Sequence, residues 1–406
     1  MLGGLLVVAG FAARAISGVL VLVLVARLLG PQAFGVFSFG LAVASLWTAV
    51  INFGLGSFAL RASAERPDLG ASILGDVLLL RMMLGGVVVL LGSIEILLFR
   101  HDEAGIAFAL LLALTGEAIA DTHLIRLRVL RRYPAEAGIE VAVSLIHLVV
   151  VVGVTLASPT AHSAAFAFGA SRLLGLSLLQ GVCRRLCGPL PRPDPRSALR
   201  TLRASFAYAI EYVALTAASQ LDAVVIRLMA GAAALGIYQA GVKIVQGLLR
   251  IGPVIAIYLL PSLTSRMVAG ELRIRQAAAV PMGFALLGLV VSLPLLLFPR
   301  WIVDALYGAS YEPLVALLPW FAALLLLKLT EVAAGVVVVA VGAQSAKTSL
   351  VLVQVLTSTI AGLWAVFVWG PQGWLGAAIA GQVFLLTGYA VLVLRRISPG
   401  RRSLPA

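Results

Sequence analysis

At 406 residues the chain is 61% hydrophobic and 12% charged, with a mean hydropathy of +1.08. That leaves too little polar surface for a water-soluble protein of this length, so lipid must be its solvent. The formal net charge of +13 is read as membrane topology rather than as nucleic-acid binding.

A bilayer core takes about 20 helical residues. Apolar stretches of that length predict twelve transmembrane helices, at 4–26, 34–60, 73–99, 104–125, 138–157, 161–183, 205–229, 233–260, 277–298, 313–341, 349–369 and 374–394. The first is too long for a signal-peptide core and lacks a cleavage site, so it is expected to be an uncleaved span. The connections are short and rich in turn residues, leaving no room for a soluble catalytic domain. Cys183 and Cys187, in C-R-R-L-C spacing beside Arg184 and Arg185, have no further ligand nearby for a tetrahedral metal and read as reduced structural thiols. The connection 184–203 carries P-L-P-R-P-D-P-R; its prolines remove donors and fix φ, so it is expected to be a non-helical cytoplasmic linker. The predicted organisation is therefore an all-α membrane protein with six-helix bundles at 1–183 and 204–396 around a central cavity, a linker at 184–203 and a tail at 397–406.

Lys and Arg fall unevenly on alternate connections. One side has Arg61, Arg66, the run Arg126 to Arg132, the arginines of the linker and those of the tail; the other has only Arg27, Arg100, Arg227 and Arg300. The positive-inside rule then places both termini in the cytoplasm.

An internal repeat supports the division into halves. Gly30, Gly35, Phe37 and Gly40 recur as Gly231, Gly236, Tyr238 and Gly241 at a constant offset of 201. Each half has an even number of spans, so both enter the membrane from one side, as in transporters built from parallel repeats.

Ionisable residues inside spans are costly and tend to face a bundle interior or a wet cavity. Gln239, Lys243, Gln246 and Arg250 recur at i, i+4, i+7 and i+11, one face of the eighth span. With Arg14, Arg81, Arg172 and Lys328 they predict a cationic substrate cavity. Asp76, Glu117, Asp121, Glu211, Asp222 and Glu331 are the acids within spans. Some must pair with the cations, Lys328 with Glu331 being a local candidate, while Glu211, Asp222 and Glu331 are candidates for ion coupling. Ser38, Ser45, Thr48 and Asn52 share a face of the second span, and Tyr208, Tyr212, Ser219 and Asp222 one of the seventh; such stripes either glue helices or line a path. His147 has no nucleophile near it in sequence and reads as a core residue. No Walker loop, H-E-x-x-H, G-x-S-x-G or D-x-D pattern occurs, so no enzyme, metal site or cofactor is expected.

The segment A-R-L-L-G-P-Q-A-F-G-V-F-S-F-G (26–40) with N-F-G-L-G (52–56), and Q-L-D-A-V-V-I (220–226) with L-G-I-Y-Q-A-G-V-K-I (235–244), resemble the O-antigen-type polysaccharide flippases of the multidrug/oligosaccharidyl-lipid/polysaccharide (MOP) exporter superfamily. The resemblance runs over essentially all twelve spans. It implies flipping of a polyprenyl-diphosphate-linked oligosaccharide across a bacterial inner membrane, with Arg14, Asp222 and Lys243 at the family's charged positions. The partners implied are that lipid-linked oligosaccharide, membrane lipids, and a polysaccharide polymerase and ligase, with no nucleic acid. The start, Met1-Leu2-Gly3-Gly4, departs from the family's short basic leader. An ion-coupled multidrug or small-molecule exporter of the same superfamily and a non-transporting scaffold of a polysaccharide synthesis complex are the alternatives; six cations within spans and an aromatic content of only 7% favour the flippase.

Overall fold

The computed structural model describes residues 2–191, 193–250, 265, 267 and 274–397, with side chains from residue 17 onward. Among these residues there are helices and no strands. Ten helices are long and apolar enough to cross a membrane, and two of them are double. Helix α1 (Leu2–Asn52) is interrupted at Gly30, with φ 71° and ψ 171°. A straight helix of its 51 residues would run about 77 Å at about 1.5 Å per residue, far beyond a bilayer core of about 30 Å. The chain must turn, and only glycine takes that left-handed φ without strain. The second double helix breaks at Gly231, with φ 87° and ψ 178°. Counting each double helix as two gives twelve apolar helical segments among the described residues, the number that the hydropathy pattern predicts.

Helix α2 (Leu55–Glu65) is separate from the second span. A continuous 34–60 helix was expected, but Phe53 and Gly54 have φ of 42° and 62°, which ends α1 at Asn52. Helices α3 (Gly70–Phe99), α4 (Ala104–Val129), α5 (Tyr133–Ala157) and α6 (Ala161–Cys187) follow. The linker departs from expectation in a specific way: residues 195–204 are helical, as α7 (Pro195–Ala204). Pro195 stands in the first turn, where its missing N–H costs nothing. Asp194 caps the helix by accepting from the backbone N–H groups of Arg196 and Ser197, both at 3.2 Å.

Helix α7 is tied to the membrane helices. Ser197 Oγ and Thr201 Oγ1 donate to the buried Asp76 of α3, at 2.5 and 3.4 Å, and Ala198 packs with Leu55, Ala59, Leu74, Val77, Leu80 and Ile125. Asp194→Ala is therefore expected to lower stability by about 1 kcal/mol through the lost cap, read as a lower melting temperature in detergent; an unchanged melt would contradict a structural role for α7.

Helix α8 (Phe206–Leu249) is the second double helix, followed by α9 (Ile274–Leu297), α10 (Pro299–Leu306), α11 (Leu314–Ala340), α12 (Gln344–Trp369) and α13 (Pro371–Ile397). The short α10 was not anticipated; it starts on Pro299 and delivers Tyr307, whose hydroxyl donates to the Ala240 carbonyl at 2.8 Å. The end of the eighth predicted span, 251–260, and the tail beyond residue 397 lie outside the described residues.

Two compact units emerge, Met1–Gly236 and Ile237–Ala406. Inside each, the repeated motif performs the same packing task. Gly40 in the second span faces Leu110 of α4, and Gly241 in the eighth span faces the Phe321 ring of α11; these partners are the fourth and tenth spans, equivalent positions of a six-span repeat. Phe37 meets Phe168 at 5.9 Å, and Tyr238 meets Phe321 at 5.6 Å.

Candidate functional site: a polar cavity in the N-terminal unit

Three helices of the N-terminal unit enclose a cavity of about 370 Å³. Helix α1 supplies Ser45, Thr48 and Asn52, α4 supplies Glu117 and Asp121, and α8 supplies Tyr212, Thr216 and Gln220. Each set is spaced by three or four residues, so each helix turns one polar stripe inward. Two hydroxyls of the α1 stripe are partly committed to their own helix: Ser45 Oγ donates to the Leu41 carbonyl at 2.7 Å and Thr48 Oγ1 to Ala44 at 3.0 Å.

Arginines stand behind this wall. Arg81 of α3 is 1% exposed; its guanidinium meets Asp121 Oδ2 at 2.9 Å, Thr122 Oγ1 at 3.0 Å and Asn52 Oδ1 at 3.4 Å. Arg172 of α6 pairs with Glu117 at 3.4 Å and lies over the Phe168 ring at 5.0 Å. The sequence reading put both arginines on the cavity surface; the structure puts the carboxylates there and the cations one layer out. The physical reason is that a buried guanidinium in a poorly polarisable interior requires a counter-ion and hydrogen-bond acceptors, and the in-span acids of the neighbouring helix supply them. The surface left facing the cavity is two anchored carboxylates, amides, hydroxyls and one aromatic ring. Carboxylates and side-chain amides in fixed positions accept from and donate to a polyhydroxylated ligand.

The other predicted residues are placed as follows. Ser38 is buried in α1 and absent from the cavity lining. The seventh-span stripe is shifted from the expected one: Tyr212 lines the cavity with Thr216 and Gln220, whereas Tyr208 bonds to Arg61 at 3.1 Å. Glu211 is exposed on α8. Asp222 is half-buried and accepts from the Ala223 N–H at 2.7 Å. Asp76 holds α7. Arg14 belongs to α1, its side chain outside the described residues.

In the C-terminal unit Gln239 is buried, Lys243 is half-buried with its ammonium 3.3 Å from Gln246 Oε1, and Gln246 and Arg250 are exposed at the end of α8. The four share a face, with exposure rising toward Arg250. Lys328 is half-buried in α11, and Glu331 lies in the field of Lys328 and of Lys347. His147 is a core residue: its Nδ1 meets Ser171 Oγ at 2.7 Å and its ring stands on Phe168. Thr216, Gln220 and the roles of Glu117 and Asp121 as cavity groups were missed, although an i, i+4, i+8 polar stripe at 212, 216 and 220 was available as a signal.

Similarity to known proteins agrees with this architecture. A family described as "Polysaccharide biosynthesis protein" matches residues 3–267. No curated protein sequence matches. The lipid II flippase MurJ in an inward closed conformation is similar with a TM-score of 0.75 and 12% identity, over 96% of this chain and 87% of that one. An inward-facing multidrug resistance MATE family transporter of the MOP superfamily gives a TM-score of 0.67 at 16% identity, over 94% of both chains. A MOP superfamily transporter from Pyrococcus furiosus gives 0.63 at 13% identity, over 96% of this chain and 94% of that one. The similarities are to transporters and flippases rather than to catalysts. With the all-α fold of long apolar helices and the motif-bearing turns, they establish that this chain is a multi-pass membrane protein that belongs to the polysaccharide biosynthesis protein family and has the fold of the MOP superfamily transporters.

Proposed function

We propose that the chain flips a polyprenyl-diphosphate-linked oligosaccharide from the cytoplasmic to the outer leaflet of a bacterial inner membrane by alternating access, with both termini cytoplasmic, in two halves joined by the 184–203 linker. The carrying observation is the N-terminal cavity, whose fixed carboxylates, amides and hydroxyls match the hydroxyl groups of a saccharide. The Lys243 and Arg250 face, with Gln239 and Gln246, offers charge to the diphosphate. Asp222, Glu211 and Glu331 remain the candidates for coupling transport to an ion gradient, and a polymerase and ligase the expected partners in export.

The test is glycan export in cells that depend on this chain. Glu117→Gln removes one carboxylate from the cavity, and the loss of one charge-assisted contact of about 1.5–3 kcal/mol predicts export at least about tenfold slower per copy of the protein in the membrane. Lys243→Ala with Arg250→Ala should lower export in the same way. Full export by both variants would remove the proposal. The cavity carboxylates also favour a second reading, export of cationic small molecules; Glu117→Gln would then abolish resistance to such cations and leave glycan at the cell surface unchanged.

A further inference from the structure

A second cavity of the N-terminal unit, of about 350 Å³, lies away from the polar one, between α3, α4, α6 and the linker residues Pro189, Leu190, Pro191 and Pro193. It is amphipathic. Gly75, Leu78, Leu79 and Met82 of α3 and Leu190 of the linker form an apolar trough, while His123, Arg126, Gln180 and Arg184 gather as its polar part. Among the described residues no acidic side chain lines it.

The polar part is built. Arg126 is 6% exposed and its guanidinium donates to the carbonyls of Cys187, Gly188 and Pro189 at 2.7, 2.9 and 3.3 Å, closing the C-terminal end of α6. Those acceptors are neutral, so its positive charge stays without a carboxylate partner among the described contacts. His123 is 5% exposed, and its Nδ1 has no hydrogen-bond partner among the described residues. A buried ring nitrogen left unpaired is a cost that a bound polar group would remove. Arg184 is exposed at the mouth and free of any ion pair among the described residues. The Gly75 side of the trough admits the linker closely: a Cβ there would stand 3.0 Å from the Pro191 carbonyl oxygen.

Cations at one end, an apolar trough at the other and no acid between them are complementary to one kind of molecule. We infer that this cleft binds an anionic phospholipid, its phosphate between Arg184, His123 and Gln180 and its acyl chain along Leu78, Leu79 and Met82. Its location supports a lipid over a soluble anion: the cleft sits where Arg126, Arg128, Arg131, Arg132, Arg184 and Arg185 collect at the ends of α4 and α6, and basic pockets between membrane helices on such a face take acidic headgroups. Because the linker forms one wall through Leu190 and Pro191, bound lipid would hold these two residues and α7 against α3. The inference is independent of what the chain transports.

The experiment is native mass spectrometry of the full purified chain from detergent, offered phosphatidylglycerol or phosphatidylcholine. The intact protein should retain phosphatidylglycerol in preference to phosphatidylcholine. Arg184→Ala, at an exposed position, should weaken retention by about fivefold for one interfacial cation. Met82→Trp, which fills the trough from a side chain that is 58% exposed, should weaken it too, with both variants keeping the melting temperature of the parent. Inorganic phosphate at millimolar concentration should displace nothing. Unchanged phosphatidylglycerol retention in both variants overturns the assignment, as does displacement by inorganic phosphate, which would make the cleft a simple anion site.

Discussion

Asp121→Ala is expected to deplete the protein from the membrane rather than merely slow it. Among the described residues the Asp121 carboxylate is the only anion on the guanidinium of Arg81, which is 1% exposed. Removing one partner of a buried pair leaves an uncompensated charge, at a cost of about 3–5 kcal/mol. That is a large part of a total folding stability of about 5–15 kcal/mol. Thr122 and Asn52 would still accept from Arg81, yet neutral acceptors do not replace the charge. Replacing both partners, as Arg81→Leu with Asp121→Leu, should restore abundance, because no charge is left buried; it should leave glycan export lost, because the cavity has then lost a carboxylate. Immunoblots of membranes and melting curves in detergent read the first effect, surface glycan the second. Wild-type abundance for Asp121→Ala would show that the pair carries no stability.

Why the sequence placed these acids and arginines inside spans without showing which of them face the cavity follows from that pair. Hydropathy locates Arg81, Arg172, Glu117 and Asp121 inside spans, and the cost of isolated charge in lipid says that some must pair. Which member of each pair faces the cavity depends on how α3, α4 and α6 rotate about their own axes, and their all-round apolar character carries no such information. The glycine motif was legible for the opposite reason: a 51-residue helical run must turn, glycine alone takes φ near 71° or 87° cheaply, and the same residue spacing occurs twice. Proline in 189–195 was read only as a breaker. Pro195 in the first turn, with Asp194 before it, was a helix-start signal within the same residues.

The turns at Gly30 and Gly231 lead to the prediction with the most mechanistic content. A Cβ built on Gly35 would fall on the Ala232 carbonyl oxygen, and one built on Gly236 would fall on the Pro31 carbonyl oxygen. Adding 201 to Pro31 and Gly35 gives Ala232 and Gly236, so the contact is reciprocal, as a two-fold relation between repeats requires. The two turns therefore meet backbone to backbone, and only glycine permits it. The alternating access proposed above requires these turns to part once per cycle. Cysteines at Gln32 and Ala233, in a chain with Cys183 and Cys187 replaced, are expected to crosslink on oxidation, stop glycan export, and release it on reduction. Gly35→Leu should act in the opposite sense: overpacking costs about 1–3 kcal/mol in the closed arrangement alone and shifts the population toward parted turns by about 5–150-fold. A single cysteine at Gln32 should then react faster with a membrane-impermeant thiol reagent. Crosslinked protein that exports at the wild-type rate, or a Gly35→Leu chain with unaltered labelling of Gln32→Cys, would mean that these turns are a fixed seam and not a gate.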